Sequence, residues 1–348
     1  MESVTVKRGT PGDVAALGQM VDRVYRPQKP LGEGMPREFP HLFHPDNAAN
    51  LFYVEDRGAP VSMVGVLKQT GLVPGAAIPL ASVGSVATLP EYRGRHLASV
   101  ILEEVFRTMA AEERALCLIS GDRDLYLRQG AVPVGAMDTV EVDLSPAMPR
   151  LSHPLRQVPE EFRSSEAARL IPLYWQEPYR FMRSVEQMQG LLNALWFQRP
   201  GYNQQLFTIG PQHQPVAYLV VYVGARAADR GVVMEWAGDR AALVQAFPYV
   251  MTHMNIQHLQ FHVHRADGFM RRLADEKGWG VSSGPLQGTV KVLSEKVLRQ
   301  AYGAWFAERA SLAGEADRSA NLAKTLFAKA EDGGWGLPLM LTDDLNYI

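Results

Sequence analysis

The sequence predicts an α/β protein made of two successive sheet-and-helix domains and a short helical C-terminal segment. Between Leu80 and Gly130 the residues indicate a strand, a turn rich in glycine and arginine, a helix and a second strand. Residues 151 to 295 repeat the same coarse order of elements. The length of 348 residues exceeds that of one ordinary domain. We therefore expect domains at 1–148 and 149–297, followed by a helical segment at 298–348.

Composition and charge favour a soluble globular protein. Hydrophobic residues make up 47% of the chain and charged residues 21%, which is typical of a folded protein with a sizeable core. The net charge of −2 gives no electrostatic reason to expect nucleic acid or an anionic membrane as a partner. Cys117 is the single cysteine, and neither a membrane-spanning apolar run nor a signal-peptide pattern is present. We therefore expect a cytoplasmic protein, with homo-oligomerisation left open.

The chain opens with elements that precede the central strand. Val4 to Arg8 alternates as a short strand, and Thr10 to Asp13 then starts a helix with one apolar stripe. Residues 25 to 50 are rich in proline, glycine and aromatic residues, which predicts a long loop. Leu51 to Asp56 and Val61 to Gln69 follow as two strands, and the Gly58 turn between them predicts a hairpin.

The central strand runs directly into a candidate phosphate site. Residues 80 to 88 are small or β-branched and stop before Pro90, whereas apolar residues recur at helical spacing from Leu97 onward. The turn between them therefore feeds a helix N-terminus, which offers unpaired N–H groups and about half a positive charge. Arg93 and Arg95 add full charges, and Gly94 lets the backbone approach an anion closely. This combination suits a pyrophosphate.

The same turn resembles motif A of the GNAT (Gcn-five-related N-acetyltransferase) superfamily, whose acyl-CoA loop reads Q/R-x-x-G-x-G/A. Arg93 fits the first position and Ala98 the last, but His96 stands where the family has glycine. That departure predicts an altered fit, because a Cβ there crowds the phosphate or shifts the amide donors. The resemblance implies acetyl-CoA as co-substrate, held by Val86, Ala87, Thr88, Arg93, Gly94, Arg95, His96, Leu97 and Ala98. Among these, the amide of Val86 would act as an oxyanion donor.

A second stretch extends the resemblance. After the strand Ala115 to Ser120, residues 125 to 131 read L-Y-L-R-Q-G-A, which is similar to the Y-x-x-x-G-F/Y segment of the family. In that segment the tyrosine protonates the departing thiolate of CoA, which implies that Tyr126 is a catalytic acid. The implied activity is acetyl-CoA-dependent N-acetylation of a small amine or peptide amine, by direct attack on the thioester. A non-catalytic acyl-CoA-binding sensor or assembly protein is the alternative, and His96 is its main support.

The remainder of the chain resembles the enhanced-intracellular-survival (Eis) type of tandem GNAT protein. We expect Met137 to Val142 to close the first sheet, before a linker near Pro146. A degenerate second GNAT-like domain then lacks the R-x-x-G-x-G/A loop at Gly238 to Arg240. Each domain would be a mixed, mostly antiparallel twisted sheet flanked by helices. The C-terminal region is shorter than in the Eis type, where the terminal carboxylate helps to activate the amine. By this resemblance Ile348 is the second candidate catalytic residue.

The general base and the acceptor stay open at this stage. Carboxylates of Glu33, Glu38, Asp46 and Ile348 are candidate bases, and a water chain would serve equally well. In a GNAT domain the loop after the first helix walls the acceptor pocket, and its candidate lining residues are Tyr25, Phe39, His41, Phe43 and His44. Aminoglycosides, polyamines, protein lysines and amino-acid derivatives all fit as acceptors.

Four histidines in the second half do not predict a metal site. His253 and His258 are five positions apart, which does not place them on one helical face, although His262 and His264 share a strand face. No cysteine joins them and no H-E-x-x-H occurs, so we expect ordinary core or surface histidines.

Overall fold

The structure is a computed structural model that describes residues 4–146, 148–194, 203–224, 227–307, 322–327, 336–342, 345–346 and 348. Its helices are α1 Val14–Tyr25, α2 Met35–Glu38, α3 Leu97–Ala111, α4 Asp124–Arg128, α5 Arg163–Trp175, α6 Val185–Asn193, α7 Arg240–His253, α8 Gly268–Glu276, α9 Glu295–Tyr302 and α10 Leu322–Phe327. Its strands are β1 Lys7–Arg8, β2 Leu51–Asp56, β3 Ala59–Val73, β4 Ala76–Thr88, β5 Leu116–Ile119, β6 Met137–Asp143, β7 Leu155–Val158, β8 Arg180–Phe181, β9 Asn203–Ile209, β10 Ala217–Val223, β11 Arg230–Gly238, β12 His258–His264, β13 Gly280–Gly284 and β14 Thr289–Val292. In the described part of the chain, no helix is both long and apolar enough to cross a membrane.

The chain forms two compact units that are discontinuous in sequence. The first contains Met1–Gly135, Leu286–Thr342 and Tyr347–Ile348, and the second contains Ala136–Pro285 and Asp343–Asn346. These units do not follow the expected ranges 1–148, 149–297 and 298–348. The difference arises because β6, expected to close the first sheet, pairs with β12 and β13 in the second unit. In its place, β14 pairs with β5 in the first unit.

The sheet of the first unit has the strand order β1-β2-β3-β4-β5-β14. Only β4 and β5 are parallel, and the other neighbours along this path are antiparallel. Residues 80 to 87 of β4 are all buried, because α1, α3 and α9 each pack on this strand. A run of small and β-branched residues fits such a position, since neither face of the strand meets water.

The sheet of the second unit has the order β13-β6-β12-β11-β10-β9-β7, with β11 and β12 as its parallel pair. Alternate residues of β10 face two separate hydrophobic clusters. Leu219 and Val221 pack with residues of α7 and α8, whereas Tyr218 and Val220 pack with residues of α5 and α6. The sheet is therefore covered by helices on both faces, as the period-2 alternation of strand side chains requires.

The predicted fold class is confirmed, since both units are mixed, mostly antiparallel sheets flanked by helices. Most of the predicted helices and strands lie within a few residues of the observed bounds. The helical segment expected at 298–348 includes residues outside the described part. Its described helices are α9, which begins at Glu295, and α10.

Candidate active site

The site forms where the two parallel strands of the first unit part. β4 and β5 pair from Leu80 with Leu116 to Val83 with Ile119, and β5 then ends. β4 continues to Thr88 beside β3 alone. Among the described residues, no strand pairs with the other edge of β4 beyond Val83. Main-chain groups of residues 84 to 88 therefore face a gap that an extended ligand can enter.

A β-bulge re-aims the backbone of β4 at this gap. Two residues, Ser85 and Val86, stand opposite Val64 alone, between the pairs Gly65 with Gly84 and Met63 with Ala87. Ser85 has a φ of 51°, as the extra residue of a bulge often has a helical or left-handed conformation. The hydroxyl of Tyr25, the last residue of α1, donates a hydrogen bond to the carbonyl of Val86. The bulge is thus fixed from outside the sheet.

The predicted pyrophosphate turn lies at the other end of the same gap. Gly94 has a φ of 78° and His96 a φ of 59°, and α3 begins at Leu97. The first hydrogen bond of α3 runs from the amide of Val100 to the carbonyl of His96, 3.1 Å away. The preceding N–H groups of the first turn have no partner within the helix. They are free to meet an anion.

Two guanidinium groups beside this turn carry unpaired charge. Arg93 donates only to the carbonyl of Thr88, at 3.4 Å, and the Arg95 guanidinium lies 4.8 Å from the centre of the Tyr92 ring. Neither arginine forms an ion pair with any residue that the structure describes. His96 is exposed and adopts a left-handed conformation that glycine would adopt at lower cost. Its side chain therefore does not fill the turn.

Tyr126 lies just past the end of β5. It belongs to the short helix α4 and is only 5% exposed. Its ring packs against Gly121, where an added Cβ would lie 3.3 Å from Cε2 of the tyrosine. The carbonyl of Tyr126 accepts a hydrogen bond from the amide of Ala131 at 3.1 Å. The phenol is therefore held on the β5 side of the point where the strands part.

The carboxyl group of Ile348 lies on the β4 side of the same point. An added Cβ on Gly84 would lie 2.5 Å from the carboxyl carbon of Ile348 and 2.6 Å from a carboxyl oxygen. Ile348 is 5% exposed. Eight residues earlier in the chain, Met340 packs over Gly71 of β3, where an added Cβ would lie 2.2 Å from its sulfur. Two glycines thus leave room for Met340 and Ile348 to lie directly on the sheet.

The other candidate carboxylates are placed differently. Glu38 is fully buried, with a two-point ion pair to Arg26 and a third bond from Lys29 at 3.2 Å. Glu33 is exposed and lies 3.8 Å from the Arg37 guanidinium, and the Asp46 carboxylate is almost fully exposed. The Glu38 carboxylate therefore stabilises the loop after α1 through Arg26 and Lys29, and the carboxylates of Glu33 and Asp46 face solvent.

The end of α1 and the loop after it carry the residues expected to line the acceptor pocket. Tyr25 contacts the bulge, as described above. Phe39 and Phe43 are both buried, and their role as pocket lining stays a prediction. His41 contacts Phe39 edge to face, and the His44 ring accepts a bond from the amide of Asp46 at 3.2 Å. The loop is shaped by the buried carboxylate of Asp22, which accepts amide bonds at positions 32, 34 and 35.

The second unit carries its own acidic groups at the corresponding turn. The carboxylate of Asp239 caps α7 by accepting from the amide of Ala242 at 2.9 Å. Glu177 accepts from the amide of Gly238 at 3.0 Å and from the Arg240 guanidinium. Two carboxylates therefore stand at this helix N-terminus, where a phosphate would meet repulsion rather than attraction. Sequence reasoning found the missing glycine loop but not Glu177, which is distant in the chain.

The four histidines have separate surroundings. His258 lies 2.7 Å from the Asp143 carboxylate, His264 stacks on Tyr179, and the ring of His253 meets that of Phe207 edge to face. Burial lowers the pKa of His262 to about 4. Within the described ranges, no three His, Cys, Asp or Glu residues are grouped so that they could hold a metal ion.

Comparison with known proteins agrees with this geometry. The family model of the acetyltransferase (GNAT) domain matches residues 5–133, which include β4, the turn before α3 and Tyr126. No curated protein matches the sequence.

Three solved structures have a similar fold. They are a GCN5-related N-acetyltransferase from Anabaena variabilis ATCC 29413 (14% identity, TM-score 0.63), a conserved protein from Enterococcus faecalis V583 described as a probable N-acyltransferase (15%, 0.64), and Eis1 from Mycobacterium abscessus (12%, 0.57). The alignments cover 86% of this chain and 75%, 75% and 76% of those chains. At such identities the likeness shows the fold, and it extends through both units. Residues 5–133 are therefore similar to the GNAT acetyltransferase domain, and the fold of the chain is similar to that of these three structures.

Proposed function

We propose that the protein acetylates a primary amine by direct attack on acetyl-CoA, with Tyr126 as general acid and the Ile348 carboxylate as general base. One observation carries this assignment: the two groups flank the point where the parallel strands part. The Ile348 carboxyl lies against Gly84, the first residue past the last pair on β4. The Tyr126 ring packs on Gly121, two residues past that pair on β5.

The proposed reaction needs no covalent enzyme intermediate. The amine nitrogen forms a bond to the thioester carbon, and the carbon–sulfur bond of acetyl-CoA breaks. The nitrogen loses a proton to the Ile348 carboxylate, and the sulfur gains the phenolic proton of Tyr126. Catalysis then rests on positioning and on proton transfer.

The acetyl-CoA would bind along the gap between the strands. Val86, Ala87 and Thr88 lie on the part of β4 that pairs with β3 alone, which suits an extended pantetheine arm, and the Val86 amide suits the developing oxyanion. The turn at 93–98 supplies the N–H groups of the first turn of α3 and two cations for the pyrophosphate. The Tyr25 bond to the Val86 carbonyl supports this role, because it fixes the peptide that follows the oxyanion donor.

Calorimetry with acetyl-CoA tests the pyrophosphate site. Gly94→Glu would place a carboxylate beside the pyrophosphate, so we expect micromolar binding of wild type to be lost. Gly75→Glu is the matched control, because Gly75 has nearly the same φ, 81° against 78°, and open space around its Cβ position. It lies at the opposite end of β4, so its backbone strain is the same without the charge effect. Equal losses in both variants would remove the site from residues 93–98.

Thiol release with four amines tests the chemistry. Kanamycin, spermidine, a lysine-containing peptide and free amino acids represent the acceptor classes. Tyr126→Phe should lower kcat by roughly a hundredfold or more, as expected for loss of a general acid. The Kd for acetyl-CoA should stay within twofold, because the turn at 93–98 is untouched. A variant with wild-type kcat would exclude Tyr126 from the mechanism.

A further inference from the structure

The strand β14 lies between the two ends of residues 119–132, the segment that carries Tyr126. On one edge it pairs with β5, in the register Thr289 with Ile119 and Lys291 with Cys117. On the other edge, Val290 exchanges two backbone hydrogen bonds with Val132, at 2.8 and 3.0 Å. The chain from Ile119 to Val132 therefore leaves one edge of β14 and returns to the other.

Two side chains of β14 hold this segment at both ends. The Thr289 hydroxyl donates to the carbonyl of Gly121 at 3.0 Å, and Gly121 is the residue on which the Tyr126 ring packs. The Lys291 ammonium donates to the carbonyl of Gln129 at 2.6 Å, one residue beyond α4. Thr289 is buried, and the Lys291 ammonium lies 5.3 Å from the centre of the Phe106 ring. Both donors are thus fixed by their own surroundings.

The segment needs such support because it cannot hold its own shape. Helix α4 has five residues, fewer than a self-standing helix requires. Glycines with positive φ, Gly121 at 157° and Gly130 at 80°, stand on either side of it. These positions give the backbone freedom next to the catalytic tyrosine. The bonds from Thr289 and Lys291 act at or next to each of these glycines.

We propose that Thr289 and Lys291 are positioning residues that hold the Tyr126 phenol at the sulfur of acetyl-CoA. This inference rests on the proposed role of Tyr126. Loss of either bond lets the segment shift, and a displacement of about 1 Å can cost about a hundredfold in rate. Thr289→Val and Lys291→Met should therefore lower kcat by about tenfold to a hundredfold. The Kd for acetyl-CoA should stay within twofold.

A double-mutant cycle distinguishes positioning from general damage. In a Tyr126→Phe background, Thr289→Val and Lys291→Met should cause no further loss of kcat, because the group they position is already absent. Thr289→Ser and Lys291→Arg keep the donors and should restore most of the activity. Control variants are Thr108→Val and Lys68→Met, which make the same substitutions but remove bonds to the carboxylates of Glu104 (3.2 Å) and Glu112 (3.1 Å), away from the segment. These controls should keep wild-type kcat.

Each outcome has a distinct meaning. Positioning would be refuted if the kcat losses of the β14 variants added fully to the kcat loss of Tyr126→Phe in the double variants. It would also be refuted if both β14 variants kept wild-type kcat while Tyr126→Phe was impaired. Wild-type kcat in Tyr126→Phe itself would instead overturn the proposed acid. Hydrogen–deuterium exchange needs no acceptor: peptides covering 120–131 should exchange faster in the β14 variants than in the controls. Unchanged exchange would overturn the inference independently of any assay of turnover.

Discussion

The closest approach in the site, between Gly84 and Ile348, gives a sharp test of the carboxylate. In Gly84→Ala the new methyl would lie 2.5 Å from the carboxyl carbon, against about 3.4 Å for an ordinary contact. The carboxyl group must therefore move by roughly 0.9 Å, the difference between these distances. A displacement of about 1 Å from a productive geometry can cost about a hundredfold in rate. We expect kcat to fall by about that factor.

The assay separates this effect from loss of fold or of acetyl-CoA. The preference of about 0.5–1 kcal/mol for alanine over glycine within a strand offsets part of the cost of moving the Ile348 backbone, and urea unfolding should show that the variant is folded. Acetyl-CoA affinity, measured by calorimetry, should stay within twofold, since residues 93–98 are untouched. Gly65→Ala is the matched control, because Gly65 pairs with Gly84 and the atoms nearest its added methyl belong to the flexible Leu42 side chain, at 3.0–3.3 Å. It should keep nearly full activity.

A second variant tests the carboxyl group without touching the sheet. One glycine added after Ile348 would replace the carboxylate by an amide and carry the charge about 3.8 Å further along the chain. This extended protein should lose kcat at least as strongly as Gly84→Ala. A folded Gly84→Ala protein with wild-type kcat, together with an active extended protein, would refute the role of Ile348.

Three further predictions concern other buried contacts. Tyr25→Phe removes the hydrogen bond to the Val86 carbonyl and should lower kcat/KM by about tenfold, since the bulge then loses its external support. Arg183→Met leaves Glu235 buried without the guanidinium that bonds it at 2.9 and 3.0 Å, and urea unfolding should show a loss of about 3–5 kcal/mol. His262 has its pKa lowered to about 4 by burial, so between about pH 6.5 and 4 the unfolded chain binds a proton that the folded chain does not. The free energy of unfolding should therefore fall with decreasing pH across this window, by up to about 3 kcal/mol.

Each of these predictions has a contrary result. An unchanged kcat/KM in Tyr25→Phe would mean that the bulge holds its shape without the bond. A loss below about 1 kcal/mol in Arg183→Met would mean that Glu235 finds another partner or takes up a proton. For the pH dependence, His262→Gln should flatten the slope between pH 6.5 and 4. An equal slope in that variant would assign the effect to other groups.

Local sequence signals were enough to predict the central strand and the turn that leads into α3. Residues 80 to 88 form part of β4 and α3 begins at Leu97, because small and β-branched residues, Pro90 and the helical spacing act over short distances. The placement of Tyr126 after β5 followed from the same kind of pattern. The altered fit expected from His96 stays a prediction, and the structure shows this residue exposed in a left-handed conformation.

Long-range pairing was not predictable from the same signals. Met137 to Val142 alternates well as a strand, and nothing in that alternation tells whether it pairs with β5 or with β12. Thr289 to Val292 is equally short, and its partners lie about 170 residues earlier in the chain. Gly71 and Gly84 make room for the tail, but a strand glycine reveals only that something approaches closely, not which segment. The position of the Ile348 carboxylate beside Gly84 is therefore visible only in the structure.

The insertion of β14 beside β5 has a consequence for how the protein is made. During synthesis, residues 1 to 135 leave the ribosome well before Thr289. The edge of β5 and the segment that carries Tyr126 therefore stay unpaired until β14 is translated. Pairing of such distant segments is slow, because a long loop must close before the contact forms. The nascent first unit thus exposes an unpaired edge throughout translation of the second. The first unit therefore cannot complete its sheet until β14 has been translated.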